Sequence, residues 1–241
     1  ITDVFHEVEK GHADYGVVPI ENSMEGVVTH TQDMFIDSGL KICAEVYLDI
    51  SHNLLSRAKK LSQITKIYSN PQAFGQCRGW LLANVPGADL IEVSSTTRAA
   101  EIARKEPRSA AIASGLAAKL YGLKMPAGSI QDSSDNITRF LVIAKAFGHA
   151  TGHDKTSVMF SIKDKVGALH DVLGLFEKHR INLTKIESRP SKKKPWEYYF
   201  FVDFNGHSED AKVKSALKGL SGKCEFMKIL GSYPRACDRE A

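Results

Sequence analysis

Residues 132–140, DSSDNITRF, run directly into the apolar tetrad Leu141-Val142-Ile143-Ala144. Two Asp, two Ser, an Asn, a Thr and an Arg thus crowd the point where a buried strand begins. The conjunction recurs upstream. YGVVPI (15–20) leads into Glu21-Asn22-Ser23, KIYS (66–69) into Asn70-Pro71-Gln72, LIEV (90–93) into Ser94-Ser95-Thr96, and SAAIA (109–113) into Ser114-Gly115. Apolar runs of four to five residues separated by amphipathic helices are the pattern of a parallel sheet covered on both faces. An α/β domain is therefore expected across residues 16–145.

The helix starts are chemically explicit. Pro71 suits a first helical position behind Ser69 or Asn70, Thr96 can cap the Ala-rich helix that follows it, and Ser114 can cap GLAAKLY, which Gly122 ends. Each hydroxyl alone is explained by capping. Together they suggest more, because strand carboxyl ends and helix amino ends share one edge of an open α/β sheet, where free N–H groups and helix dipoles favour an anion.

Bulk properties narrow the function classes. The 241 residues are 43% hydrophobic and 25% charged, and a net charge of +4 arises from 32 basic and 28 acidic residues spread along the chain. No surface for nucleic acid or membrane is legible in that distribution, whereas an anionic small molecule remains open. The one compact basic run, Lys192-Lys193-Lys194 between Pro190 and Pro195, reads as a solvated turn. Cys43, Cys77, Cys224 and Cys237 form no C-x-x-C pair and have no His at metal-ligand spacing, so reduced thiols and no metal are expected. No apolar stretch approaches the roughly 20 residues of a membrane helix, and the default location is cytoplasmic. The chain opens on ITDVFHEVEKGHADYG, without an initiator Met and inside a helix-like segment, which suggests that sequence precedes it.

The composition changes at FGHATGHDKTS (147–157), where glycines and histidines read as a linker. TSVMFSIKD then alternates like a half-buried strand, and GALHDVLGLFEKHR places Leu169, Val172, Leu173 and Phe176 on one helical face. INLTKIESRP, WEYYFFVDF, SEDAKVKSALKGL and CEFMKILGSY complete a β-α-β-β-α-β order, the split arrangement of a ferredoxin-like module.

Among the polar clusters Arg139 is the one fixed cation, and its planar fork suits bidentate capture of a carboxylate. The competing reading is an internal salt bridge to Asp132 or Asp135. Asn136 and Thr138 add an amide and a hydroxyl beside it. With Asn22, Ser23, Ser69, Gln76 and Thr96, the inventory is rich in neutral hydrogen-bonding groups and poor in metal ligands.

GVVPIENS, YSNPQAFGQC, IQDSSDNITRF and ESRP together resemble the prephenate dehydratase family, and the trailing module is similar to the ACT regulatory domain fused to it. The likeness runs from Val4 to about Pro234. It implies a catalytic domain over 1–148 and an ACT domain over 153–234. The catalytic domain would have two α/β lobes like those of periplasmic solute-binding proteins, lobe two spanning about 50–125, with a cleft between them.

The activity implied is decarboxylating dehydration of prephenate to phenylpyruvate in L-phenylalanine biosynthesis, without a cofactor. By likeness to the family motif, Thr138 would lie against the departing hydroxyl and Arg139 would bind a carboxylate. Asn22, Ser23, Ser69, Gln76, Thr96 and Asn136 would bind and orient the substrate, with Phe140 packing beneath the site. Glu21 would be the proton source if burial keeps it protonated, or else a structural hydrogen-bond partner of the backbone.

In the second domain, Gly167, Ala168, Leu169, Asn182, Leu183, Glu187, Ser188, Arg189 and Pro190 match the segments that in this family bind L-phenylalanine between subunits as feedback inhibitor. The plainer reading of ESRP is a tight strand end with Glu187 and Arg189 paired. Pairing of ACT sheets implies a homodimer or tetramer.

Three departures from the family pattern stand out. Val166 sits where Pro usually precedes Gly-Ala-Leu, Asn70 where His is frequent, and no Gly-Pro-x-Gly-Thr loop is found. That missing loop suggests a catalytic domain incomplete at its front: either the loop was cut away, or it is unresolved, or it belonged to a longer chain that could also hold a chorismate mutase domain. Two other functions compete: an arogenate dehydratase, and an amino-acid- or solute-binding module without catalysis.

Overall fold

The computed structural model describes residues 1–192 and 196–236, so Lys193, Lys194 and Pro195 of the expected basic turn, and Cys237, lie outside the described residues. In chain order, α1 (Thr2–Lys10), β1 (Gly16–Asn22), β2 (Gly26–Val27), α2 (Thr29–Asp37) and β3 (Lys41–Asp49) come first. Next are β4 (Asn53–Ser56), β5 (Lys66–Ser69), α3 (Pro71–Gln76), α4 (Arg78–Asn84), β6 (Asp89–Glu92), α5 (Thr96–Lys105), β7 (Ser109–Ala113), α6 (Gly115–Tyr121) and β8 (Lys124–Ala127). β9 (Ile137–Ala144), β10 (Asp154–Ile162), α7 (Ala168–Lys178), β11 (Leu183–Pro190), β12 (Tyr198–Asn205), α8 (Ala211–Ser221) and β13 (Cys224–Pro234) complete the described chain.

Two units result. Unit one joins residues 1–48 to 138–241, and unit two holds 49–137. Unit two is one five-stranded sheet, β6-β5-β7-β4-β8. Its β6, β5 and β7 run parallel, but β4 is antiparallel to both β7 and β8. In unit one, β1 is antiparallel to β2 and to β9. The parallel pairing expected for residues 16–145 is thus confined to three strands. Crossover helices impose a common direction on β5, β6 and β7, whereas β1 and β9 come from the two ends of the dehydratase-like part and are not joined by a single crossover helix.

Local chemistry sets the helix starts as expected in two cases of three. Asn70 Oδ1 accepts from Ala73 N at 3.1 Å with Pro71 at the first position, and Ser114 caps α6, which Gly122 ends at φ 62°. The third cap is Ser95, which accepts from Arg98 N, and Thr96 is the first helical residue instead.

The larger difference concerns the second half. The sheet β11-β12-β10-β13 carries α7 and α8 on one face through Val158, Phe160, Val172, Phe176, Val213 and Leu217. Its other face is not open. Met159, Phe201, Leu230 and Tyr233 share one core with Phe5, Phe35, Ile42, Leu141 and Ile143. β10, which reads as half-buried, is therefore buried from Asp154 through Ser161. The linker at 147–157 does not set the ACT-like sheet apart as a separate body, because burying this apolar area at about 25 cal/mol per Å² favours docking over independence. Contact is close enough that a Cβ at Gly231 would lie 2.1 Å from the carbonyl oxygen of Ile42.

Candidate active site

Pairing of β1 with β9 sets Asn22 opposite Thr138 and Glu21 opposite Arg139. Successive strand residues point to opposite faces, so this ladder carries two chemistries, one per side. On one side, Asn22 Nδ2 donates to Thr138 Oγ1 at 2.8 Å. Asn22 Oδ1 accepts from Met24 N at 2.9 Å and Glu25 N at 3.0 Å, which fixes the amide with its NH2 toward the threonine. Having accepted that bond, the Thr138 hydroxyl keeps its own hydrogen for donation. Ser23 is exposed in the turn after β1, and Phe140 is half-buried opposite Pro19.

On the other side, Arg139 shares a face with Leu141 and Ile143 and is 4% exposed. Its Nε donates to Glu45 at 2.8 Å, Nη1 to Glu21 at 3.0 Å and to Asp203 at 2.7 Å, and Nη2 to the Tyr233 hydroxyl at 3.0 Å. Lys155 Nζ donates to both oxygens of Glu45 at 2.9 Å, Lys185 donates to Glu21, and Ser157 Oγ to Asp203 at 2.5 Å. Arg139 therefore has its fork filled by protein carboxylates and points away from the Thr138 side. This corrects both expectations for it, the substrate carboxylate and the salt bridge to Asp132 or Asp135. Asp132 instead accepts from Gly79 N at 2.8 Å and Trp80 N at 3.0 Å at the start of α4.

Glu21 is corrected too. Burial alone would raise its carboxyl, but Lys185 and Arg139 hold it below the ordinary 4.5. It is an anion at neutral pH, neither a buried acid nor a partner chosen for the backbone. Burial works against the Arg139 charge, yet Asp203, Tyr233 and Glu45 outweigh it and keep the guanidinium firmly protonated.

Unit two gathers neutral groups. Gln76 Oε1 accepts from Asn136 Nδ2 at 2.7 Å and meets His52 Nε2 at 2.7 Å, which makes Nε2 the protonated ring nitrogen. Asn136 is 2% exposed. Gln76 and Asn136 were expected in the site; His52 was not, since a lone His between a strand end and Asn53 gives no spacing signal. Thr96 is half-buried at the first position of α5, where unpaired N–H groups and the helix dipole favour an anion. Ser69 is fully buried, and its hydroxyl donates to the Ile112 carbonyl at 3.0 Å, which ties β5 to β7.

Of the expected effector residues, Gly167 caps α7 at φ 80°, Ala168 is buried and Leu169 half-buried. Ala168 and Leu169 line an open groove of about 880 Å³ with Ile162, Trp196, Tyr198 and Phe200. Asn182 and Ser188 are exposed, Leu183 and Glu187 half-buried, and Pro190 closes β11. Arg189 is paired, but not with Glu187: its Nη2 donates to the Asp33 oxygens at 2.7 and 2.9 Å. β11 turns Lys185 and Arg189 toward the same side of the sheet, so both reach the dehydratase-like part of unit one. Among the described residues no group of three or more His, Cys, Asp or Glu could hold a metal, and no helix is long and apolar enough to cross a membrane.

A family model described as prephenate dehydratase matches residues 1–147, and one described as ACT domain matches residues 156–222. The chain belongs to the prephenate dehydratase family. This dehydratase-family chain is 54% identical over 240 residues to the bifunctional chorismate mutase/prephenate dehydratase of Aquifex aeolicus (strain VF5), covering 100% of itself and 66% of that protein. It is 41% identical over 240 residues to the prephenate dehydratase of Methanocaldococcus jannaschii, covering 97% of itself and 85% of the relative. A crystal structure of prephenate dehydratase from Arthrobacter aurescens in complex with L-Phe matches with a TM-score of 0.90 at 36% identity, over 100% of this chain and 81% of that one. The chain spans just under two thirds of the length of the bifunctional relatives.

Proposed function

We propose that this chain carries out the decarboxylating dehydration of prephenate to phenylpyruvate and that L-phenylalanine inhibits it through the ACT domain. The observation that carries the reading is the Asn22 Nδ2 to Thr138 Oγ1 hydrogen bond at 2.8 Å, with the Asn22 oxygen locked by two backbone N–H groups. As the ring carboxylate departs as carbon dioxide, its C–C electron pair enters the ring. The pair of the opposite C–O bond then leaves with the hydroxyl, which takes up a proton and departs as water. Thr138 donates a hydrogen bond that strengthens as hydroxide character develops. A threonine hydroxyl is too weak an acid to act alone, so a solvent proton completes the step. Aromatisation supplies the driving force, and no cofactor is invoked.

With Arg139 held by protein carboxylates, we assign anion binding to the first turn of α5 at Thr96, and a binding and orienting role to each of Asn22, Ser23, Gln76 and Asn136. Phenylalanine is assigned to the segments at Gly167–Leu169 and Asn182–Pro190, supported by the family likeness and by the complex with L-Phe in which the Arthrobacter aurescens enzyme crystallised. Its different affinity for two states of the enzyme would give feedback inhibition. Homodimer or tetramer formation belongs to the same proposal, as does a cytoplasmic location, with which the free Cys43, Cys77 and Cys224 are compatible.

The test is ultraviolet detection of phenylpyruvate from prephenate, with and without L-phenylalanine, alongside arogenate as competing substrate. Phenylpyruvate formation suppressed by phenylalanine is the expected result. Faster turnover of arogenate would change the substrate, and silence toward either would leave a binding module.

A further inference from the structure

The charged side of the β1/β9 ladder is built by two parts of the chain in equal shares. The dehydratase part supplies Glu21, Glu45 and Arg139, two carboxylates and one guanidinium, net −1. The ACT part supplies Asp203, Lys155 and Lys185, one carboxylate and two ammoniums, net +1. Neither set balances alone; together they sum to zero. Tyr233 and Ser157, again from the ACT sheet, complete the hydrogen bonds around Arg139 and Asp203. A buried charge left without its partner is strongly unfavourable, so the two sets hold each other in one arrangement.

That arrangement bears on the residues one step along the same strands. Arg139 is bonded to Thr138 through the backbone, and Glu21 to Asn22. Their mutual pairing fixes the register in which Asn22 Nδ2 reaches Thr138 Oγ1. The irregularity in the ladder between Pro19 and Glu21 makes this end of β1 dependent on side-chain ties more than on regular pairing.

We propose that Asp203 and Lys185 of the ACT sheet are positioning residues for the reaction: acting through Arg139 and Glu21, they hold the ladder that aligns Thr138 with Asn22. The inference rests on the reading that Thr138 acts on prephenate. Because Lys185 lies on β11, the strand that ends in ESRP, a displacement of that strand reaches Glu21 directly, and the effector segment and the reacting hydroxyl are linked through two ion pairs, Lys185 to Glu21 and Glu21 to Arg139. Positioning to within about 0.5 Å is what such a hydrogen-bond donor requires, and a misplacement of about 1 Å can cost about a hundredfold in rate.

The test uses the full-length chain with Asp203→Asn, Asp203→Glu, Lys185→Met and Asp33→Asn. Asp33 is the control, since its pair with Arg189 ties the same two parts together without touching the ladder. In the folded fraction, Asp203→Asn is expected to lower kcat at least tenfold with KM within twofold and to blunt phenylalanine inhibition. Asp203→Glu should restore part of the rate, and Asp33→Asn should lose melting temperature while keeping kcat within twofold. If Asp203→Asn does not fold, Lys185→Met decides by the same kcat and KM criteria. Folded Asp203→Asn with kcat within twofold of wild type overturns the inference, as does a loss of kcat in Asp33→Asn that matches it. Wild type that makes no phenylpyruvate overturns the parent reading; active wild type with unimpaired variants overturns this one alone.

Discussion

The polar clusters of the two units are built on opposite principles. In unit two, Gln76 Oε1 gathers hydrogen bonds from Asn136 and His52, and no carboxylate or guanidinium is among the three. In unit one, five charged groups from distant segments lock around Arg139, the neighbour of Thr138 on β9. Neutral groups can be lent to a ligand at modest cost, since each hydrogen bond contributes about 0.5–1.5 kcal/mol net. Buried ion pairs cannot be opened so cheaply. On the proposed function, the contrast separates groups that would touch a substrate from groups that hold the touching groups still.

The sharpest way to break that contrast is Glu45→Gln, which leaves Lys155 and Arg139 short of a carboxylate that is 1% exposed. We expect a loss of about 3–5 kcal/mol in denaturant unfolding; a loss below about 1 kcal/mol would make the cluster ornamental. Thr138→Ala should do the reverse, cutting kcat about 100- to 1000-fold with an almost unchanged melting curve, and near-normal turnover would remove Thr138 from the chemistry. Gln76→Leu probes the neutral cluster: a rise in KM of about tenfold, the equivalent of about 1.4 kcal/mol, is expected with a small effect on kcat.

The smallest effect is in pH dependence. Lys185 and Arg139 depress Glu21 below its ordinary 4.5 against the opposing pull of burial, and Lys192 and Arg189 depress Asp33 below 3.8 in the same way. A carboxyl lowered by folding stabilises the native state fully above its unfolded pKa and loses that contribution as pH falls through the folded value. Melting temperature should therefore hold steady down to about pH 5 and fall across the acid range. Lys185→Met should flatten that fall, and an unchanged slope would detach Lys185 from Glu21.

Much of this was legible in the sequence where the signal is local. Asn70, Ser114 and Gly122 announce their caps because the hydrogen bonds span three or four residues. The Thr96 expectation missed by one residue, as adjacent hydroxyls at Ser95, Thr96 and Thr97 compete for one capping place. Asn22 and Thr138 were both marked, but their pairing depends on register between strands far apart in sequence. The separation of Arg139 from Thr138 follows from a rule that the sequence already carries: neighbours on a strand face opposite ways, so the two side chains lie on different faces of β9. The Arg139 partners Glu45, Asp203 and Tyr233 come from other strands, and nothing in the sequence around them marks the meeting.

Gly231 sets a condition on any attempt to treat the regulatory half as a cartridge. Its hydrogen in place of a side chain lets β13 lie against Ile42 with no cushion between the two main chains. A sheet transplanted from a relative would have to bring a glycine to that spot and matching charges to the underside of the ladder. Without them the graft would pry the halves apart, and sensing and turnover would be lost together.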